Sequence, residues 1–393
     1  MKWIQPVGVL LCLLLAACPS SSGSSAPAGA ANVIPISVGN SNVCSNVNEL
    51  CTSVTICQPA TSNCHTISDV LVDIGSVGLR VFGSVLTVPL QQEVDPQGHP
   101  LGNCALFADG GAAWGPVQVA DVQLGGGPAV RIPIQVINPT FAGQSVANNP
   151  CGTPVDADPN VTLFNGILGI GVFKQDCGPT CAVDASPGLY FSCNGSTCTS
   201  IVIPVQNQLQ HPVWMLPSGN NGVMISLPGV PANGAPSVNG SLTLGIGTAA
   251  NNAPPAGATL LTTDLNGLVQ TNYKGTLLQA ILDSGSNGYF FPDNALITCA
   301  APLDSFYCPP NPLNLMGTLI GFTGGQVAVP FQVANFQSLL QANPNNAAFN
   351  NVAGVSGGMP IFDWGLPLFF GRTVLVGIEG QQSPLGTGPY FAL

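Results

Sequence analysis

One short phrase, written twice at positions 210 residues apart, constrains this chain more than any other feature. The first copy reads Val70-Leu71-Val72-Asp73-Ile74-Gly75-Ser76-Val77-Gly78 and the second Ala280-Ile281-Leu282-Asp283-Ser284-Gly285-Ser286-Asn287-Gly288. In each, an apolar run of β type ends at a lone Asp, and Gly-Ser then turns the chain. A single Asp-x-Gly-Ser in a chain with 48 glycines reads as an ordinary turn or helix cap. Two copies behind matched apolar runs require two similar halves, and they offer a pair of facing carboxylates.

The spacing downstream repeats as well. Ile167-Leu168-Gly169 ends 96 positions after Asp73, and Phe369-Phe370-Gly371 ends 88 positions after Asp283. A long-period repeat of this kind implies two lobes rather than a solenoid. With these residues in view, the chain resembles the pepsin-like aspartic peptidases. In that family an apolar-apolar-Gly strand passes beside each catalytic Asp loop, and the loops meet between the lobes.

Further segments carry the resemblance. Cys51 to Cys57, a turn, and Cys64 to Val72 are similar to the hairpin that leads into the family's first Asp. Phe164 to Gly171 resembles its first-lobe strand-end signature, and Gly115 to Gly125 resembles the strand that leaves the flap. The cysteine-rich layout is also similar to that of an uncharacterised bacterial lipoprotein family of unknown function.

The resemblance implies an all-β, bilobal fold with an interlobe cleft, the lobes spanning residues 32–205 and 206–393. It implies an endopeptidase in which Asp73 and Asp283 activate water. Gly75 and Gly285 let backbone approach the carboxylates, and Ser76 and Ser286 donate to them. Ser284 supplies the hydroxyl that reaches across to the other loop. Two departures stand out. Ile74 occupies the position of the reciprocal hydroxyl, and no tyrosine precedes Gly115 where the family's flap carries one. Phe107 and Trp114 are the candidates to cover the cleft. The alternative is a silent protein of the same fold that binds peptide or envelope material.

Composition agrees with strands. Charged residues make up only 6% of the chain, Gly and Pro abound, and no long stretch holds a 3.6-residue apolar period. Gln206 to Gln210 and Phe336 to Ala342 read as short helical turns at best. The Gly-x-Ser-x-Gly of Gly354 to Gly358 is a turn by this reading, because the serine-hydrolase elbow needs a later histidine and none follows His211. Asp109, Asp121, Asp363 and Arg372 read as surface or strand-end groups.

Residues 1–17 read as a targeting segment: Lys2, an apolar run from Val7 to Ala17, then Leu15-Ala16-Ala17-Cys18, which resembles a bacterial lipobox. Lipid on Cys18 and a flexible tether over residues 18–31 would anchor the body without a transmembrane helix. A plain secretory signal with an incidental cysteine is the rival reading. Pro19 in place of Asp leaves the outer membrane as the expected destination in the cell envelope.

Fourteen cysteines less Cys12 and Cys18 leave an even number, which in an oxidising compartment implies disulfides. Close spacing suggests Cys44–Cys51, Cys57–Cys64, Cys177–Cys181, Cys193–Cys198 and Cys299–Cys308, with Cys104 and Cys151 left for each other; spacing alone leaves the connectivity open. Three scattered histidines give no metal-ligand spacing, so neither metal nor cofactor is expected. Beyond residue 17, five basic residues face 17 acidic ones, which argues against nucleic acid. The expected partners are a peptide or unfolded protein substrate and, through Cys18, a membrane; the chain is expected to be a monomer.

Overall fold

A computed structural model describes residues 30–393 apart from Asn42, Asp109 and Met359. The expectations for residues 1–17, Cys18, most of the tether and Asp109 lie outside the described residues. Residues Ala31–Leu393 form one unit, and it is predominantly β. Among the described residues the α-helices are three short ones, Pro159–Thr162, Pro179–Val183 and Phe336–Ala342. The last is capped by Asn335, whose side chain accepts from Ser338 N at 2.9 Å. The other expected turn is a 3-10 turn over Val205–Asn207.

Strands assemble into a 16-stranded sheet, a 7-stranded sheet and a two-stranded ribbon. In the first half, Cys51–Cys57 and Cys64–Asp73 form an antiparallel hairpin. Gly166–Ile170 then lies between the Cys64–Asp73 strand, to which it is parallel, and Val77–Phe82, to which it is antiparallel. The second half repeats the arrangement with other residues. Ile361–Trp364 runs parallel to Thr276–Leu282 and antiparallel to Tyr289–Phe290. Each Asp loop is therefore the connection between two strands held apart by a third, which fixes both ends of the loop.

A seam joins the halves. Val33–Val38 pairs antiparallel with Val238–Leu244 along its whole length, from Val33 opposite Thr243 to Val38 opposite Val238. On its other side Ser37 pairs with Cys51.

Burial follows the strand period. Val77–Phe82 is buried at every position; Leu209 lies against Gly78 and Asp176 against Arg80. In Ile361–Trp364, Phe362 and Trp364 point into the core while Ile361 and Asp363 lie on the other, partly open face. Phe362 stacks on Trp364 at 4.3 Å and on Phe291 at 4.7 Å, and Tyr273, Tyr289 and Phe331 close the cluster. Each fully buried ring stabilises by about 2–3 kcal/mol. This aromatic block backs the second Asp loop.

The first loop is backed by a polar group that sequence reading missed. Arg80 is buried, donates from one guanidinium nitrogen to Val77 O at 2.9 Å, and faces Asp176 at 3.5 Å. Asp176 also accepts from Tyr190 Oη at 2.6 Å and from Asn103 Nδ2 at 3.3 Å. Burial holds its carboxyl above the ordinary range despite the arginine. Val77 O belongs to the fourth residue after Asp73, so this network steadies the exit of the loop.

All six expected disulfides are present, five between near neighbours and Cys104–Cys151 as the remaining pair: Cys44–Cys51, Cys57–Cys64, Cys104–Cys151, Cys177–Cys181, Cys193–Cys198 and Cys299–Cys308.

Candidate active site

The two Asp loops meet. Asp73 Oδ1 accepts from Gly75 N at 2.7 Å, and its Oδ2 accepts from the Ser76 hydroxyl. Asp283 repeats the pattern with Gly285 N and Ser286 Oγ, each at 2.8 Å. Each carboxyl group lies against the glycine of the other loop, close enough for the two aspartates to act on each other. The loop glycines make this approach possible: a Cβ on Gly75 would lie 2.8 Å from Asp283 Cγ, and one on Gly285 would lie 3.0 Å from Asp73 Oδ1.

Asp73 is only 7% exposed. Burial, then the neighbouring carboxyl group of Asp283, hold the Asp73 carboxyl well above the usual range. Burial disfavours its charged form, and a like charge beside it adds to the effect.

The brace between the loops is one-sided. Ser284 is fully buried, donates to Val72 O at 2.7 Å and accepts from Ile74 N at 3.2 Å. Ile74 is itself buried in the apolar core and returns no hydroxyl. One serine thus holds the two peptide groups that flank Asp73.

The strand beside the second loop is not where its apolar-apolar-Gly pattern placed it. Leu282 pairs with Trp364 as Val72 pairs with Leu168. The counterpart of Ile167-Leu168-Gly169 is therefore Asp363-Trp364-Gly365. Phe369-Phe370-Gly371 comes after a 3-10 turn over Leu366–Leu368, with Phe370 bridging to Leu227. An Asp where the first half has Ile167 broke the apolar pattern and hid the correspondence. Spacing gave a weak signal, since Gly365 follows Asp283 by 82 positions.

Asp363 is accordingly no surface group. Its carboxyl feels the charges of Asp283 and Asp73. Its Oδ1 is buried without a hydrogen-bond partner. Burial first, then those two charges, hold its carboxyl well above the usual range.

The flap candidates separate. Leu101–Leu106 and Ala112–Leu124 form a hairpin whose last pair is Leu106 opposite Ala112. Phe107, the next residue, sits half-buried, packed on a cluster that includes Phe82 and Ala113. Trp114 is fully buried among Cys104, Phe141 and Phe191 and donates from Nε1 to Phe141 O at 3.3 Å. Its indole is committed to that cluster and offers no surface to a cleft. Asp121 lies on the outgoing strand and pairs with the exposed Arg131 at 2.8 Å.

A family model described as a protein of unknown function, DUF3443, matches residues 28–393. No curated protein matches the chain.

Proposed function

The chain belongs to the DUF3443 family, whose description assigns no activity, and we propose that it is a bilobal, pepsin-like aspartic endopeptidase acting on extended polypeptides. The lobes would span residues 32–205 and 206–393, with substrate lying between them. The observation that carries this reading is the pair of duplicated loops that meet with each carboxyl group against the glycine of the other loop.

Two carboxyl groups with one proton between them supply both halves of the chemistry. The ionised carboxylate takes a proton from water as its oxygen attacks the scissile carbonyl carbon. The protonated carboxyl gives its proton to the carbonyl oxygen, forming a tetrahedral diol. Collapse breaks the C–N bond, the amine nitrogen leaves with a proton, and the pair returns to its single-proton state. The raised proton affinity of Asp73 supports a proton being held within the pair in acid. The pair acts as one unit, so neither residue is assigned a fixed role.

The test is purified protein with Cys18 replaced, offered a random peptide library across acid pH with and without pepstatin. Pepstatin-sensitive cleavage is the expected result. A folded protein that cleaves nothing at any acid pH overturns the reading.

A second reading, a silent protein that binds peptide or envelope material, is favoured by Ile74 and by the missing flap tyrosine. Ile74→Thr separates the two. A threonine hydroxyl there restores the reciprocal brace, and a neutral hydrogen bond contributes about 0.5–1.5 kcal/mol. Misplacement of a reacting group by about 1 Å can cost 10²-fold in rate. Ile74→Thr is therefore expected to raise kcat several-fold with KM little changed. No cleavage by either protein leaves the binding reading in place.

Localisation belongs to the same proposal. We place the body at the bacterial envelope, held by lipid on Cys18, with the outer membrane as destination. Cys18→Ser should move the protein to the soluble fraction or leave its signal uncut, and unchanged processing and fractionation argue against a lipid anchor.

A further inference from the structure

In each half a buried side-chain donor holds the carbonyl of the fourth residue after the aspartate. In the first, Arg80 donates to Val77 O at 2.9 Å. In the second, Asn48 Nδ2 donates to Asn287 O at 2.8 Å. Arg80 reaches back three positions within its own strand, whereas Asn48 comes from the other half of the chain, 239 positions away.

Asn48 is fully buried, and both polar atoms of its side chain are bonded. Nδ2 also donates to Phe349 O at 2.9 Å, and Oδ1 accepts from Phe349 N at 2.8 Å. A backbone N–H can only donate, so this last bond fixes the orientation of the amide and turns Nδ2 toward the two carbonyls. The Asn48 backbone N donates to Ala347 O at 2.7 Å, and its φ of +57° lies in the left-handed region that asparagine tolerates.

Two residues on, Leu50 O accepts from Val72 N at 2.7 Å. Val72 precedes Asp73, and its carbonyl is the one that Ser284 holds. One short segment, closed by the Cys44–Cys51 disulfide, therefore grips the entry of the first Asp loop and the exit of the second.

We propose that Asn48 is a positioning residue of the carboxyl pair: it sets the exit of the Asp283 loop from the same segment that sets the entry of the Asp73 loop, so the two carboxyl groups share one reference. It acts through Asn287, as Arg80 acts through Val77. The consequence for turnover rests on the peptidase reading, in which displacement of either carboxyl by about 1 Å can cost 10²-fold in rate.

The test is amide hydrogen exchange on the full chain, read at single residues by NMR, in the wild type and in Asn48→Gly. Glycine suits the left-handed backbone, so the change removes the side chain without straining φ. The reporters are Gly285 N, bonded to Asp283 Oδ1 at 2.8 Å, and Gly75 N, bonded to Asp73 Oδ1 at 2.7 Å. Gly285 is expected to exchange about tenfold faster, the scale of one neutral hydrogen bond, while Gly75 keeps its rate. Unchanged exchange at Gly285, or an equal rise at both glycines, overturns the proposal, since the second result makes Asn48 a support of the whole fold. Should the glycine variant not fold, Cys44→Ser with Cys51→Ser opens the segment and leaves Asn48 in place. Asn48 lies inside the opened segment and Leu50 beside the Cys51–Cys57 strand, so Gly285 should lose protection ahead of Gly75. Full protection of Gly285 in that variant also overturns the proposal.

Turnover supplies the remaining arm. Asn48→Gly is expected to lower kcat about tenfold or more with KM little changed, because the side chain displaces a reacting group rather than a substrate contact. An unchanged kcat in a folded variant whose Gly285 has lost protection removes the positioning role. If the wild type cleaves no peptide, the peptidase reading falls, while exchange at Gly285 still decides whether Asn48 holds the second loop.

Discussion

Replacing either Asp73 or Asp283 by Asn is expected to cut pepstatin-sensitive cleavage by at least about 10³-fold without unfolding the protein. Acid–base catalysis by a positioned side chain contributes about 10²–10⁴-fold, and here one pair would perform both proton transfers. The fold should tolerate the change because Asn keeps an acceptor for the Gly75 or Gly285 amide. Its amide nitrogen can donate to the carboxylate opposite.

Asp73→Asn should also change how stability depends on pH. Asp73 has a raised folded pKa, so the stability that its neutral form contributes is fully present below about pH 3.9. It is lost as pH rises through the folded value. Asn does not ionise, so the variant should gain on the wild type in urea midpoint as pH rises above about 3.9. Cleavage that survives Asp73→Asn would sink the dyad. A gain that does not grow with pH would mean that Asp73 is an ordinary carboxylate.

The largest effect on stability should come from removing the Cys104–Cys151 bridge. It closes a sequence separation of 47, against 4 for Cys177–Cys181. The chain-entropy relation gives about 4 kcal/mol for the long loop and about 2 kcal/mol for the short one. Cys104 pairs across the hairpin with Trp114 and packs in the same cluster as Phe141 and Phe191. The bridge therefore also holds the ring cluster that supports the hairpin of Leu101–Leu106 and Ala112–Leu124. Denaturant unfolding of the two double Cys→Ala variants checks the ratio. Equal losses would mean that local packing, rather than loop closure, sets the contribution.

The parts of this molecule legible in the sequence are those set by short-range chemistry. The Asp-x-Gly-Ser loops were readable because the carboxylate, its amide donor and its hydroxyl donor fall within four consecutive residues. Five of the six disulfides were readable because their cysteines are near neighbours in the chain. The correspondence of Asp363-Trp364-Gly365 with Ile167-Leu168-Gly169 was not, because the expected pattern demanded apolar residues and the chain placed a buried acid there. Trp114 reads from sequence as a ring near the flap, yet its packing depends on Phe141 and Phe191, 27 and 77 positions away. Likewise, Arg80 and Asp176 meet across 96 positions, and neither has a local signal of burial. Tertiary contact, not local preference, decides such residues.

The seam carries a consequence in time. Among the described residues the first strand, Val33–Val38, finds its full-length partner in Val238–Leu244, so it waits for residues about two hundred positions later. At a synthesis rate of about 5–20 residues per second, that wait lasts on the order of 10–40 s. For that interval the nascent chain carries an unsatisfied strand edge at its leading end, open to whatever binds edges. A chaperone or export factor that engages residues 33–38 would therefore meet this chain during its own manufacture, before either aspartate loop has a partner.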